Sequence, residues 1–174
     1  MIGIVYAKQF KYKEALEQYR QCMKIQIQLL GHVHPEVATT YNNIGAVYKE
    51  QHKYTEALEQ YHKSLEITTQ VSGCENLDAA VVYNNIGSIY ASQGDNTNAQ
   101  IQFEKSLKIK IKFYGDVHPG VAASMYNLAT IHGAQGRRQE ARQLFLKCKD
   151  IYAEGFGADH AKTLDAAKRA ESCR

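Results

Sequence analysis

A chain of 174 residues suffices for one ordinary domain or a short repeat array, and a 44% hydrophobic content is that of a globular protein, not a disordered one. A formal charge of +3 is too small to point to nucleic acid, and no apolar run approaches the roughly 20 residues that cross a membrane. The four cysteines, Cys22, Cys74, Cys148 and Cys173, form no close pair and no metal-ligand spacing, which predicts reduced thiols in a cytoplasmic protein.

The first stretch, Met1-Ile2-Gly3-Ile4-Val5-Tyr6-Ala7, is apolar but lacks a basic leader and is too short for a signal peptide. It reads as a helix stub, leading to a second helix from about Lys11 to Leu30. Next, Val37, Tyr41, Ile44 and Tyr48 recur at three- and four-residue steps and so share one helical face. Pro35 suits the first turn of that helix, where its missing N–H needs no partner. Gln51-His52-Lys53 is a turn, and a further helix carries Tyr54, Ala57, Leu58, Tyr61, Leu65 and Ile67 towards Gly73. Glycine there is expected in the left-handed geometry of a helix C-cap.

Asp78 is the expected N-cap of a helix running to about Ser92, and Gly94-Asp95 turns the chain into a helix from about Thr97. That helix holds Ile101, Phe103, Leu107, Ile109 and Ile111. The following helix holds Val121, Met125, Leu128 and Ile131, and its partner Ala141, Leu144, Phe145 and Ile151. A last helix, in the stretch from Ala161 to Arg174, is expected to cap the array.

These elements are one motif repeated. Tyr41-Asn42-Asn43-Ile44-Gly45 returns unchanged as Tyr83-Asn84-Asn85-Ile86-Gly87, 42 residues on. At the same step stand Gly3, Gly45, Gly87 and Ala129; Ala15, Ala57, Ala99 and Ala141; Tyr19, Tyr61, Phe103 and Phe145; and Gly31, Gly73, Gly115 and Gly157. Such a period marks a solenoid. The expected architecture is all-α: a solenoid of antiparallel helix hairpins, one domain over 1–174. Its repeats fall at about 1–33 (truncated), 34–75, 76–117 and 118–159, with a capping helix over 160–174. Met1 takes the column of Asn43, so the chain is expected to begin inside a helix, as a piece of a longer protein. The small residues let paired helices approach, and stability comes from stacking hairpins that cannot bury their faces alone.

At these residues the pattern resembles a tetratricopeptide repeat, with Tyr41, Ile44, Gly45, Tyr48, Ala57 and Tyr61 at its signature positions. The long period, Asn-Asn before the glycine, and Gly-His-Val-His-Pro-Glu-Val-Ala at 31–38, echoed at 115–122, are similar to the variant of kinesin light chains. The resemblance implies a right-handed superhelical solenoid in which the first helix of each repeat lines a concave groove for an extended peptide segment of a partner protein. By position that groove presents Asn42, Asn43, Ala46, Lys49 and Glu50, then Asn84, Asn85, Ser88, Ala91 and Ser92. Tyr126, Asn127 and Thr130 follow, then Lys168 and Arg169.

Within it, Asn43, Asn85 and Asn127 form a column that Arg169 continues. A carboxamide both donates and accepts, so it can pair with a peptide backbone's C=O and N–H together. The competing reading has these amides satisfying neighbouring helix ends. A co-chaperone-type clamp for acidic chaperone tails would use Asn43 or Asn85 with Arg169, but Ala46, Ser88 and Asp165 depart from it. His34, His118 and His160 share one column with Asn76, which suits a hydrogen bond ordering the turn better than a metal site. Cys22 and Cys148 share a small-residue slot with Ser64 and Ser106. Lys105, Lys108, Lys110 and Lys112 are expected on a solvated, outward face. Tyr126, in the column of Asn42 and Asn84, would stack on a ligand or fill the groove.

No nucleophile–base set, phosphate-binding glycine loop or metal site stands out, so neither catalysis nor a cofactor is expected. The reading is a protein-binding scaffold, with neither nucleic acid nor a membrane span. The alternatives are a structural spacer that self-associates through its truncated N-terminal helix, or a regulator of a catalytic domain outside this sequence.

Overall fold

The computed structural model describes residues 2–173, and the position expected for Met1 lies outside them. Among the described residues the secondary structure is nine α-helices without strands: α1 (Ile2–Lys8), α2 (Tyr12–Leu30), α3 (Pro35–Glu50), α4 (Tyr54–Ser72), α5 (Leu77–Ser92), α6 (Asn96–Tyr114), α7 (Pro119–Ala134), α8 (Arg138–Phe156) and α9 (Ala161–Ser172). The period holds to the residue. α2, α4, α6 and α8 each begin 42 residues after the last, as do α3, α5, α7 and α9. The chain divides into two compact units, Met1–Ile89 and Tyr90–Arg174, the division falling inside α5.

Each α3-type helix starts on a side-chain cap. His34 Nδ1 accepts from the Glu36 N–H at 3.2 Å, His118 Nδ1 from Gly120 at 3.0 Å and His160 Nδ1 from Lys162 at 3.3 Å. Asn76 Oδ1 does the same from the Ala79 N–H at 2.8 Å. The interchange of His and Asn in this column is therefore an N-cap, which satisfies a helix donor that has no intrahelical partner. α5 accordingly starts at Leu77, two residues earlier than a cap by Asp78 would place it; Asp78 lies in its first turn.

The hairpin turns are Schellman motifs. In the first three, Lys11, Lys53 and Asp95 donate their N–H to the carbonyls of Tyr6, Tyr48 and Tyr90, each at 2.9 Å. The residue before, Phe10, His52 or Gly94, sits at φ 59°, 58° or 79°. This is the left-handed C-cap, and it lies at the turn within the hairpin. The glycine that closes each repeat does something else. Gly73 has φ 76° and ψ 170°, and Gly115 φ 76° and ψ 175°. Positive φ with extended ψ is open essentially to glycine alone, so the expected left-handed cap at these positions is corrected to this rarer geometry.

In the N-terminal unit α1 pairs with α2 and α3 with α4, and Ala15, Leu16, Tyr19, Ile44 and Val47 form a buried cluster joining the two hairpins. Gly45 shows why the repeat keeps glycine. A Cβ there would lie 2.7 Å from Tyr61 Cε1 and 3.2 Å from the Ala57 carbonyl oxygen. In the C-terminal unit α7 packs on α6 and α8, and α8 on α9. Phe103, Leu128 and Ile131 form one cluster, and Ala129, Ala141, Phe145 and Ala170 another. The slot shared by Cys22 and Cys148 is small because it is closed in three of the four repeats: Ser64, Ser106 and Cys148 are fully buried, Cys22 only partly, and Cys148 Sγ donates to the Ala122 carbonyl at 3.1 Å.

Candidate functional site

The face expected to hold a peptide is carried by helices fixed at both ends by the caps just described. In the N-terminal unit it holds Asn42 and Asn43 on α3 and Asn84 and Asn85 on α5, all half-buried. The amides of two neighbouring repeats meet there. Asn85 Nδ2 donates to Asn42 Oδ1 at 2.9 Å, a diagonal pairing between the two asparagine columns. Ser88, one turn on, donates its hydroxyl to the Asn85 carbonyl at 2.7 Å. Lys49 stands 3.7 Å from the Glu50 carboxylate, both partly exposed.

Asn42 and Asn43 face different surroundings. Asn42 borders a pocket of about 170 Å³ between α3, α4 and α5. Asn43, in contact with neighbouring groups, borders one of about 400 Å³ walled mostly by apolar side chains, among them Ile4, Phe10 and Tyr12. Asn84 is likewise engaged with neighbouring groups.

In the C-terminal unit, Tyr126 and Asn127 lie on α7 and Arg169 on α9. Tyr126 donates its hydroxyl to Asp165 Oδ2, and the same carboxylate's Oδ1 is 3.9 Å from Arg169 Nε. The Arg169 guanidinium lies 5.9 Å from the centre of the Tyr126 ring, which meets Phe145 edge-on at 5.1 Å. Burial, and then the bond to Asp165, push the Tyr126 phenol up to about 12. Tyr126 is thus anchored at ring and hydroxyl, and Asn127 is half-buried and engaged with neighbouring groups. Arg169 already faces a carboxylate. That arrangement counts against a clamp for acidic tails, since Asp165 occupies the charge such a clamp would offer.

One residue expected on the solvated face is half-buried. Lys110 Nζ donates to the fully buried Ser124 Oγ at 2.9 Å, and burial holds its pKa below the ordinary lysine value. Its neighbours Lys105, Lys108 and Lys112 are exposed. The 42-residue register was the available signal: Lys110 shares its column with Gln26, Thr68 and Tyr152. Among the described residues no three His, Cys, Asp or Glu side chains come together as a metal site would need. No helix among the described residues is long and apolar enough to cross a membrane.

A family model described as tetratricopeptide repeat matches residues 1–70, 36–112 and 78–154. No curated protein matches the sequence. Among solved structures, BtubC (BKLC) from P. vanneervenii superposes with a TM-score of 0.80 at 28% identity, covering 90% of this chain and 62% of that one. The chain therefore spans less than two thirds of that protein. A kinesin-light-chain-like protein of Podosopora anserina with nearly identical TPR-like repeats gives a TM-score of 0.81 at 22% identity, covering 99% of this chain and 82% of its own. The N-terminal domain of stress-induced protein-1 (STI-1) from C. elegans gives 0.60 at 16% identity, covering 80% of this chain and 95% of its own. The last two are likenesses of fold alone.

Proposed function

This chain belongs to the tetratricopeptide repeat family, with kinesin-light-chain-like repeats, and on that premise we infer that it binds an extended segment of a partner protein along its asparagine-bearing helices. Repeats of this family are in general protein–protein interaction modules, and a scaffold role without catalysis suits the residues present. The observation that carries the reading is the Asn85–Asn42 amide pair on a half-exposed face. One bond between two carboxamides uses one donor of the first and one acceptor position of the second, and each retains capacity for a peptide group. Asn43, Asn84, Ser88 and Lys49 flank the pair in the N-terminal unit; Tyr126, Asn127 and Arg169 are the corresponding contacts in the C-terminal unit. Each neutral bond nets about 1 kcal/mol, so the amides hold the backbone and side-chain pockets supply selectivity.

The test is binding to immobilised unstructured peptides by the wild type and by Asn43→Ala/Asn85→Ala/Asn127→Ala, with circular dichroism to show that both fold. Selection by the wild type and loss in the variant supports the reading. Equal binding by both assigns the asparagines to packing and moves the site elsewhere.

A second reading has its own observation. On α1, Ile2, Ile4 and Val5 are 63%, 40% and 54% exposed, an apolar edge suited to self-association. A mass in solution that rises with concentration, and falls back in Ile2→Ser/Val5→Ser, would favour it. The cytoplasmic placement is part of the same proposal, resting on four unpaired cysteines.

A further inference from the structure

One column of the repeat sets the contact between each hairpin and the next. Gln26, Thr68, Lys110 and Tyr152 stand one period apart on α2, α4, α6 and α8. Fourteen residues further, on the following helix, stand Thr40, Val82, Ser124 and Ala166. In three of the four pairs a long side chain fills the space. Gln26 Oε1 accepts from Thr40 Oγ1 at 2.8 Å, Lys110 Nζ donates to Ser124 Oγ at 2.9 Å, and Tyr152 packs in one buried cluster with Ala166. The fourth pair, Thr68 and Val82, consists of two short side chains. Here the space stays open as the pocket of about 170 Å³ bordered by Asn42.

The lining defines the occupant. Ala38, Val71 and Val82 give apolar wall, the buried Ser64 and Thr68 carry hydroxyls, and the exposed Asp78 carboxylate stands at the rim. No lysine, arginine or histidine lines it. A cavity of about 150 Å³ takes a benzene ring, so this one has room for a four-carbon chain with its head group. Hydroxyl oxygens accept from a cation, and the single acidic side chain favours a positive charge. One period on, the chain supplies such a group itself. Lys110 lays its stem in the corresponding space and ends on a hydroxyl, so the fold accommodates an ammonium there.

We propose that the Thr68 pocket is a lysine site: a lysine of the bound segment inserts between α3 and α5, its stem against Ala38, Val71 and Val82 and its ammonium on the hydroxyls of Ser64 and Thr68, drawn in by Asp78. A guanidinium is planar and forked, matched to carboxylates; single hydroxyls suit the compact ammonium with its three donors. The proposal rests on the segment-binding reading above for the source of the lysine, but the pocket's chemistry is tested without it.

The decisive variant is Thr68→Lys, which fills the pocket from within as Lys110 does. Wild type and variant are titrated with n-butylammonium, and with n-butanol as the uncharged control, following backbone amide resonances to roughly 100 mM, since so small a ligand binds in the millimolar range at best. The expected result is saturable shifts confined to the surroundings of Thr39, Ser64, Thr68 and Val82 in the wild type, weaker for butanol and absent in the variant. No saturation, or the same shifts in both proteins, overturns the site.

Peptides selected by the wild type are then re-measured with each lysine replaced by alanine. Loss of roughly tenfold or more at one lysine in the wild type, and no further loss in Thr68→Lys, supports the assignment. If the selected peptides need no lysine and Thr68→Lys binds them equally, the lysine site is overturned while the asparagine variants still decide the groove. Should no peptide bind but butylammonium does, the pocket takes free amines and the lysine source is overturned. If Thr68→Lys fails to fold, Thr68→Gln replaces it, a residue this column already holds at Gln26.

Discussion

Asn85 reaches across one repeat and donates to Asn42 at 2.9 Å, so the amide of one repeat is positioned by that of its neighbour. The pair is half-buried, where a hydrogen bond nets about 1 kcal/mol and an orphaned amide costs more. Asn42→Ala and Asn85→Ala are each expected to lower unfolding free energy by about 1 kcal/mol, and the double variant by less than their sum. A coupling of about 0.5–1.5 kcal/mol in a double-mutant cycle, read by urea unfolding, is the outcome that makes the pair a unit. Strict additivity would show that the two amides act separately. Peptide affinity measured on the same proteins then separates orientation of the amides from direct contact.

Gly45 should not tolerate even a methyl group. Its added Cβ would stand 2.7 Å from the ring of Tyr61, a side chain 1% exposed that has no room to retreat. Gly45→Ala is expected to cost about 1–3 kcal/mol as an overpacked contact, despite alanine's better helix propensity. Ala57→Leu, on the facing helix at a position with no exposed surface, should cost about as much. The melting temperatures of both variants check this. A rise for Gly45→Ala would mean that propensity outweighs packing at this crossing.

What the sequence made legible follows from where the information sits. Helix boundaries and the hairpin core could be read because Gly45, Ala57 and Tyr61 act through their own size, and the 42-residue repetition shows each position several times. The hydrogen bond of the His34, His118 and His160 column was legible for the same reason, from its exchange with Asn76, but it reads as ordering the turn and leaves the cap of α5 to Asp78. Contacts that depend on two repeats together were not visible. Lys110 looks like any surface lysine until Ser124 is placed opposite it, and Asp165 shows no tie to Tyr126 until the fold brings that hydroxyl, 39 residues away, to its carboxylate. The closing glycines were read as left-handed caps because glycine signals positive φ but says nothing of ψ.

The left-handed turn residue offers a test in which packing plays little part. Gly94 has φ 79°, and a Cβ added there meets nothing within 4 Å, so Gly94→Ala changes only the backbone energy. An L-residue in this region costs about 1–2 kcal/mol, and that loss is expected in chemical unfolding. His52 carries the same cost in the native chain at φ 58°. His52→Gly relieves it, at the expense of glycine's greater freedom when unfolded and of the exposed His52 Nδ1–Tyr54 hydroxyl contact at 3.0 Å. The net expectation is a gain of up to about 1 kcal/mol. No loss in Gly94→Ala would show that the turn does not need positive φ at this residue.

Alkaline pH should unfold the chain through its buried phenols and thiol. Burial raises Tyr152 from its ordinary value of 10.0 to about 12, and Cys148 from 9.0 to about 12. Tyr126 rises to about 12, through burial first and the Asp165 bond second, and Tyr61 is raised further by burial. The sign follows from linkage. Each folded pKa lies above its unfolded value, so the folded state holds protons that the unfolded state has already released. The stabilisation is complete below about pH 9, begins to fall as the unfolded thiol and phenols titrate, and is lost as pH approaches the folded values near 12. Far-ultraviolet circular dichroism followed from pH 8 to 12 should show cooperative unfolding in the upper half of that range. Phenolate absorbance at 295 nm should lag behind free tyrosine until unfolding and then rise with it. Tyr152→Phe removes one linked proton and should move the midpoint upward. An unchanged midpoint in that variant, with normal tyrosine titration in the folded protein, would show that these phenols do not set the alkaline limit.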